Sequence, residues 1–126
     1  MAGELRVELV APDRRVWSGT AQMVIARTSE GEIGILPGHE PVLALLVTGQ
    51  VTVRTADDDS VLAAVHGGFL SVSDDTVSIL AEVAELPDEI DVARAESALG
   101  EVGEMGEDDD DARRRAETRL RVAGAR

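Results

Sequence analysis

The N-terminal two thirds of the chain alternates between apolar and polar positions in short segments. Leu5 to Ala11 carries apolar residues at every second position, a period of two that is typical of a half-buried strand. Further apolar runs follow, separated by turn-forming residues. The strands predicted after the first one are 16–20, 23–28, 33–36, 42–48, 51–55, 61–65, 69–73 and 77–81.

Polar breaks between these runs predict turns. The Asp74-Asp75-Thr76 segment separates two apolar runs and predicts a tight hairpin. His66-Gly67-Gly68 resembles an oxyanion loop superficially, but no nucleophile motif accompanies it, and we interpret it as a strand kink that requires glycine. The acidic run 57–59 lacks the glycine and the distal glutamate of a calcium loop and is interpreted as a solvated tip. Strands at this spacing predict an antiparallel β-sandwich.

The pattern changes after Pro87, where an alanine-rich and charged segment predicts a helix. Asp88 is the expected N-cap, with Asp91 three positions later. The helix is expected to end near Gly100, because glycine then recurs at every third position.

A second helix is predicted from the acidic run 107–111 to Gly124, with residues 112, 116, 120 and 123 along one apolar stripe. The predicted fold class is therefore α+β. An N-terminal antiparallel β-sandwich, residues 1–86, is followed by a short C-terminal α-helical hairpin, residues 87–126. Short helices with a stripe made mostly of alanine need docking to persist.

Composition narrows the classes of function. The formal net charge is -13, so the surface is expected to repel nucleic acid and anionic lipids. Nucleic-acid binding and direct adhesion to a membrane are therefore not predicted. All basic residues are arginine, and a P-loop cannot exist without lysine. The chain has no cysteine, and His39 and His66 lack metal-ligand spacing. No catalytic residue, no metal and no cofactor are predicted, and the absence of a long apolar stretch predicts no membrane insertion.

One long segment resembles a known family. Ser29 to Leu43, with the sequence SEGEIGILPGHEPVL, is similar to the signature stretch of ATP synthase epsilon subunits. Shorter matches follow the family order and are 17–19, 67–72, 77–82 and 90–95. The resemblance implies a non-catalytic rotor subunit on the cytoplasmic face of the cell membrane. It would lie between the gamma subunit and the membrane ring of proton-carrying c subunits, and would couple proton flow to ATP synthesis.

The resemblance also implies the contact residues. Glu30, Glu32, His39 and Leu43 are the expected partner interface toward the ring and gamma, with Glu32 as the anchoring carboxylate. An acid at such a rim can pair with an arginine of the ring and fix the register. Leu45 is a further apolar candidate, but the sequence does not say which face of the sandwich meets gamma.

The C-terminal helices carry a second implication of the resemblance, because some family members bind a regulatory ATP there. Asp91 and Arg94 lie three apart on one helix, and Arg115 and Arg119 lie four apart on the next, so the two pairs could offer guanidinium groups to phosphates. Glu101 stands where a further arginine is expected in nucleotide binders. The alternative is a network that only stabilises the helices.

That network would include the pair of Glu117 with Arg121. Contact of the helices with the alpha/beta catalytic head is also implied, although the hairpin is shorter than in members whose helices insert there and block hydrolysis. Two other functions stay open at this point: a free-standing β-sandwich binding module, and a nucleotide-sensing variant of the same subunit.

Overall fold

A computed structural model describes residues 3–55, 59–105 and 110–124 of the chain. The strands within these residues follow the predicted apolar runs closely. Their bounds are β1 Leu5–Ala11, β2 Arg14–Ala21, β3 Met23–Thr28, β4 Gly31–Ile35, β5 Val42–Leu46, β6 Gly49–Arg54, β7 Ser60–Val65, β8 Gly68–Ser73, β9 Thr76–Ala81 and β10 Ala84–Glu85.

The strands form one sheet that folds over itself into a β-sandwich, which confirms the predicted fold class. The strand order is β10-β7-β6-β3-β5-β8-β9-β1-β2, and β4 pairs with β3 outside this path. One pairing departs from the antiparallel prediction, because β1 runs parallel to β9 from Arg6 opposite Thr76 to Val10 opposite Leu80. These two strands are far apart in the sequence, so no hairpin turn forces them to be antiparallel.

The interior of the sandwich is aliphatic. In β1, Leu5, Val7 and Leu9 are all at most 1% exposed, as the period of two predicts. Ile35 and Leu70 are fully buried in other strands of the same cluster. Every buried member of this main core lies between residues 5 and 84, so the core is complete before the helices begin.

Two turns confirm their sequence interpretation. Asp74 and Asp75 have φ values of 50° and 59° and form the two-residue turn between β8 and β9, which is the geometry of a type I′ hairpin. Gly68 has a φ of 133°, and a Cβ atom at this position would lie 2.1 Å from the carbonyl oxygen of Leu80. Glycine is therefore required at this kink. Most of the predicted acidic tip, residues 57 and 58, lies outside the described residues.

The helical region contains a 3₁₀ turn, Pro87–Glu89, followed by α1, Val92–Met105, and α2, Asp110–Gly124. Two details of the prediction are wrong. The N-cap of α1 is Asp91, whose Oδ1 accepts a hydrogen bond from the Arg94 amide at 3.1 Å, because Asp88 belongs to the preceding turn. The first helix also continues through Gly100, where the cost of about 1 kcal/mol for a helical glycine is offset by packing between the helices.

The second helix ends at Gly124 as predicted, while the start of the acidic run, residues 107–109, lies outside the described residues. Of the predicted stripe, Ala116 is buried, and the helix also buries Thr118 and Val122. No helix of the described residues is long and apolar enough to cross a membrane.

The hairpin docks on the sandwich through a small second cluster. Ala64 of β7, Ile90 and Val122 are buried together, with Leu62 partly buried against them. Arg14 also donates two hydrogen bonds to the carboxylate oxygens of Glu89 at 2.5 and 2.6 Å, but this pair is exposed and contributes about 0–1 kcal/mol. The docking area is small, so the helices are held less firmly than the strands.

We expect a fragment that ends at Leu86 to remain folded, because the main core lies upstream of that residue. The fragment loses the cover over Ala64 and Leu62, so its free energy of unfolding should be lower by about 1–3 kcal/mol. Urea unfolding followed by circular dichroism measures both the value and the cooperativity. A broad, non-cooperative transition would show that the helices belong to the folding unit.

Candidate functional site

The structure places the expected interface residues on two separate loops. Glu30 lies in the turn between β3 and β4, and Glu32 is exposed in β4, where it stands opposite Arg27 of β3. His39 follows the other end of β4, in the connection to β5. Leu43 of β5 is 74% exposed, which is the largest exposure among the exposed large hydrophobic residues of the described chain.

The connection that carries His39 is tied to a neighbouring turn. The Gly38 amide donates a hydrogen bond to Oδ1 of Asp75 at 2.7 Å. The His39 ring places Nδ1 2.7 Å from the carbonyl oxygen of Glu40, and its own amide donates to Leu36 at 3.1 Å. These contacts hold the loop in one conformation, so a partner would meet a preformed surface.

Exposed apolar side chains form one row across the outer face of the sheet. Leu45, Phe69 and Leu80 are 51%, 50% and 54% exposed, and they are direct cross-strand neighbours on β5, β8 and β9. Val10 of β1 continues the row beside Leu80. We call these four residues the apolar row. The sequence pointed to Leu43 and Leu45, but Phe69 and Leu80 were missed because only the register shows that they share a face.

Three of the four residues proposed for nucleotide binding line one cleft of about 460 Å³ between the two helices and the end of the sandwich. Asp91, Arg94 and Arg119 contribute to its wall, and Arg115 does not. We call it the junction cleft. Its other lining residues are Glu85, Glu89, Ala95 and Ala98.

The charges of the junction cleft do not suit a polyphosphate well. Its wall has one carboxylate more than guanidinium groups. Nε of Arg119 already donates to Oε1 of Glu85 at 2.7 Å, and Asp91 caps α1. Of the two arginines of the cleft, only Arg94 forms no ion pair with a described residue. The carboxylates of Asp91 and of Glu89, which already pairs with Arg14, would repel phosphate oxygens.

A buried histidine completes the junction of sandwich and helices, and the sequence did not reveal it. The side chain of His66 is 4% exposed, and Nε2 lies 3.0 Å from Oε1 of Glu85. Because the carboxylate accepts, Nε2 carries the hydrogen, and Nδ1 is then a buried acceptor with no partner among the described residues. Glu85 thus joins His66 of the sandwich to Arg119 of α2. No spacing rule connects these three positions.

Burial lowers the pKa of His66 below its ordinary value of 6.5 and outweighs the hydrogen bond that His66 donates to Glu85, which raises it. Arg119 and Arg115 lower this pKa further by repelling a charged ring. Burial raises the pKa of Glu85, but the hydrogen bonds from Arg119 and His66 outweigh that effect, so the net pKa lies below 4.5. The junction is therefore built for a neutral histidine and an ionised glutamate.

No group of three or more histidine or acidic side chains in the described part of the chain is arranged to hold a metal ion. The candidate functional features are thus surfaces for partners and ligands: the apolar row, the acidic turn at Glu30 and the junction cleft.

Comparison with known proteins identifies the family. Residues 4–87 match the model of the ATP synthase delta/epsilon chain β-sandwich domain. The chain belongs to the delta/epsilon chain family of ATP synthases. An ATP synthase epsilon chain from Streptomyces griseus is 57% identical over 128 aligned residues, which cover all of both chains.

Solved structures agree with this membership. A chain in the cryo-EM structure of the Euglena gracilis mitochondrial ATP synthase, described as OSCP/F1/c-ring, matches 96% of this chain and 78% of its own length with a TM-score of 0.74 and 27% identity. A chain of the Tetrahymena thermophila mitochondrial central stalk and c-ring shares the fold, with a TM-score of 0.61 and 17% identity over 98% of this chain and 96% of its own.

We predict that acid weakens the protein through His66. Its pKa is lowered on folding, so the unfolded chain binds the proton more readily, and stability that is complete above pH 6.5 is lost as the pH falls through the folded-state pKa. Protonation of Glu85 also lowers the free energy of unfolding, but only below pH 4.5. Denaturant unfolding between these two pH values should show a slope of up to about 1.4 kcal/mol per pH unit.

The matched variants are His66→Gln and His39→Gln, which remove the two histidines of the chain one at a time. The dependence of the free energy of unfolding on pH should disappear in His66→Gln and persist in His39→Gln. An unchanged slope in His66→Gln would contradict the assignment.

Proposed function

We propose that this subunit performs no covalent chemistry and couples rotation within the central stalk of an ATP synthase at the cytoplasmic face of the membrane. It would be clamped between a gamma-type shaft subunit and the membrane ring of c subunits. The apolar row on a rigid sheet carries this proposal, because monomeric proteins rarely expose several large apolar side chains side by side. The full-length match to epsilon chains favours this function over a free-standing binding module.

The build of the sandwich suits transmission of force. Its strands are joined in one continuous sheet, and the core between the layers consists of buried aliphatic side chains, which in proteins pack densely and resist deformation. Because the main core is complete without the helices, torque can cross the sandwich without loading the weakly docked hairpin.

The two contact surfaces differ in chemistry, and we assign them to different partners. The apolar row would be buried against gamma, since a permanent interface needs an apolar centre. The acidic turn with Glu30 and Glu32 would meet polar loops of the ring, with Glu32 pairing with a basic side chain there. Leu43 lies one row away from the apolar row on β5, and His39 lies in the loop that precedes that strand, so both would belong to the rim of these contacts.

The C-terminal hairpin would act as a regulatory arm. It is fixed mainly by the small cluster around Val122 and by the Glu85 junction, and such docking can be released at low cost. Its helices of 14 and 15 residues are each about 22 Å long, so their reach toward the alpha/beta head is limited. The nucleotide-sensing variant stays a prediction, favoured by three of its four residues lining the junction cleft and disfavoured by the excess of carboxylates there.

We predict that Leu80→Ser weakens binding to gamma about tenfold or more, because the loss of one half-exposed leucine from an apolar contact corresponds to about 1.4 kcal/mol or more. Co-purification and biolayer interferometry with a gamma subunit measure the effect. Val92→Ser is the matched control, since Val92 is 41% exposed but lies on α1. If both variants bind gamma as tightly as the native chain does, the apolar row is not part of the interface.

We predict that Glu32→Arg reduces retention of the protein on purified ring complexes while the sandwich stays folded, because Glu32 is exposed and forms no ion pair with another described residue. The new arginine would lie opposite Arg27, so the free energy of unfolding should fall by at most about 1 kcal/mol. Reversal of the charge turns attraction to a basic partner into repulsion. Glu101→Arg, an exposed reversal on α1, is the control for net charge. Retention of Glu32→Arg equal to that of the control would contradict the contact.

A further inference from the structure

A second, smaller cleft lies on the opposite side of α2 from the junction with Glu85. It has a volume of about 190 Å³ and lies between α2 and the segment that connects β5 to β6. Three arginines, two threonines, one glutamate and a glycine line it. These residues are Arg27, Arg114, Arg121, Thr48, Thr118, Glu117 and Gly49. We call it the arginine cleft.

The arginine cleft is basic in a strongly acidic protein. Its wall has three guanidinium groups and one carboxylate, whereas the whole chain has a formal net charge of -13. The ion pairs among the described residues use Arg14, Arg15 and Arg119 and leave these three arginines unpaired. Unpaired cations that share a cleft repel one another, and a bound anion would offset that repulsion.

Two carboxylates stand where they could pair with these arginines, and neither does. Glu117 and Arg121 have the i,i+4 spacing that the sequence analysis favoured for an ion pair, but they do not form one. Glu32 is the cross-strand neighbour of Arg27, and it also forms no ion pair with it. The guanidinium groups of the arginine cleft are therefore left available for a ligand.

The backbone around the cleft accommodates this arrangement. A Cβ atom at Gly49 would lie 2.8 Å from Cβ and 3.1 Å from Cδ of Arg27, so glycine allows the arginine side chain to lie across the start of β6. Arg114, Thr118 and Arg121 have i, i+4 and i+7 spacing and share one face of α2. With any other residue at position 49, Arg27 or the strand that carries position 49 would have to shift.

Thr118 adds a hydroxyl group to the wall of the arginine cleft. It is 3% exposed and lines the cleft, yet its hydroxyl makes no hydrogen bond with any described residue. A ligand oxygen in the cleft would accept its hydrogen.

We propose that the arginine cleft binds a small oxyanion that carries a phosphoryl group, of which inorganic phosphate is the simplest. Guanidinium groups present forks of N–H donors that match phosphate oxygens, and the Thr118 hydroxyl adds another donor. The volume is below the range of about 300–1,000 Å³ that is typical for larger ligands, so it suits one phosphoryl group and not a whole nucleotide.

Such an ion has a consequence for the hairpin. It contacts Arg27 of the sandwich and Arg114 and Arg121 of α2 together, so it binds the docked hairpin and not the released one. By linkage, phosphate then stabilises the docked state. The site goes beyond the coupling function, because it makes the position of the regulatory arm depend on an anion.

The test is a calorimetric titration of the full chain with sodium phosphate at fixed pH, with sodium chloride of equal ionic strength as the blank. We expect saturable binding in the millimolar range. Arg114→Gln and Arg27→Gln should each weaken it about tenfold or more, as expected for loss of a charge-assisted pair. Arg113→Gln is the matched control, because it removes the same charge from the adjacent position of α2 outside the cleft.

No heat above the chloride blank, or equal weakening by Arg113→Gln and Arg114→Gln, would overturn the site. A second readout is hydrogen exchange of the α2 amides, which phosphate should slow in the native chain and not in Arg27→Gln. Unchanged exchange in the native chain would overturn the effect on docking even if the ion binds.

ATP as the titrant identifies the source of the phosphoryl group. Competition of ATP with phosphate, lost in Arg114→Gln, would show that a nucleotide phosphate enters this cleft. Phosphate binding without such competition would assign the site to the free ion. ATP binding that needs Arg94, with no phosphate binding at all, would overturn the arginine cleft in favour of the junction cleft.

Discussion

The inward packing of aliphatic side chains from both layers of the folded sheet is the interaction on which the rest of this structure depends. With one tryptophan and one phenylalanine in the chain, the interior is filled by leucine, valine, isoleucine and alanine. Such side chains suit strands, because branched residues pack well on a pleated surface. Each strand must keep its register, since a slip by one residue would turn its apolar set toward solvent.

We expect the helical hairpin to depend on the sandwich more than the sandwich depends on the hairpin, because the main core lies upstream of the helices. The cluster of Ala64, Ile90 and Val122, the shared carboxylate of Glu85 and the exposed Arg14–Glu89 pair connect the two parts. The carboxylate of Glu85 accepts from a neutral histidine on one side and from an arginine on the other, so its charge is compensated without being fully buried. A contact of this size would allow the proposed regulatory arm to respond to pH, to anions or to partners while the sandwich keeps its shape.

The surface separates functions that would interfere with each other. Apolar side chains form a row on the sheet β5-β8-β9-β1, acidic residues occupy the β3–β4 turn, and arginines gather in a cleft below α2. If these surfaces bind the partners proposed above, contacts of different chemistry discriminate between those partners.

Some features of the fold were predictable from the sequence, and others were not. The strands were predictable because burial on one face imposes a period of two, and the Asp74-Asp75 turn and the Gly68 kink were predictable because few residues tolerate those backbone angles. The end of α1 was not, because packing between helices outweighed the cost of Gly100. The N-cap of α1 is Asp91 and not Asp88, because Asp88 belongs to a 3₁₀ turn that the sequence pattern did not predict.

The sequence by itself determined the fold class, the family and the acidic turn, since local periodicity and a long signature are properties of neighbouring residues. Only the tertiary structure decided which distant residues meet. The apolar row, the link from His66 through Glu85 to Arg119, and the arginine cleft each join residues from elements far apart in the chain. Side-chain proximity there follows from strand register and helix docking, which no local pattern encodes.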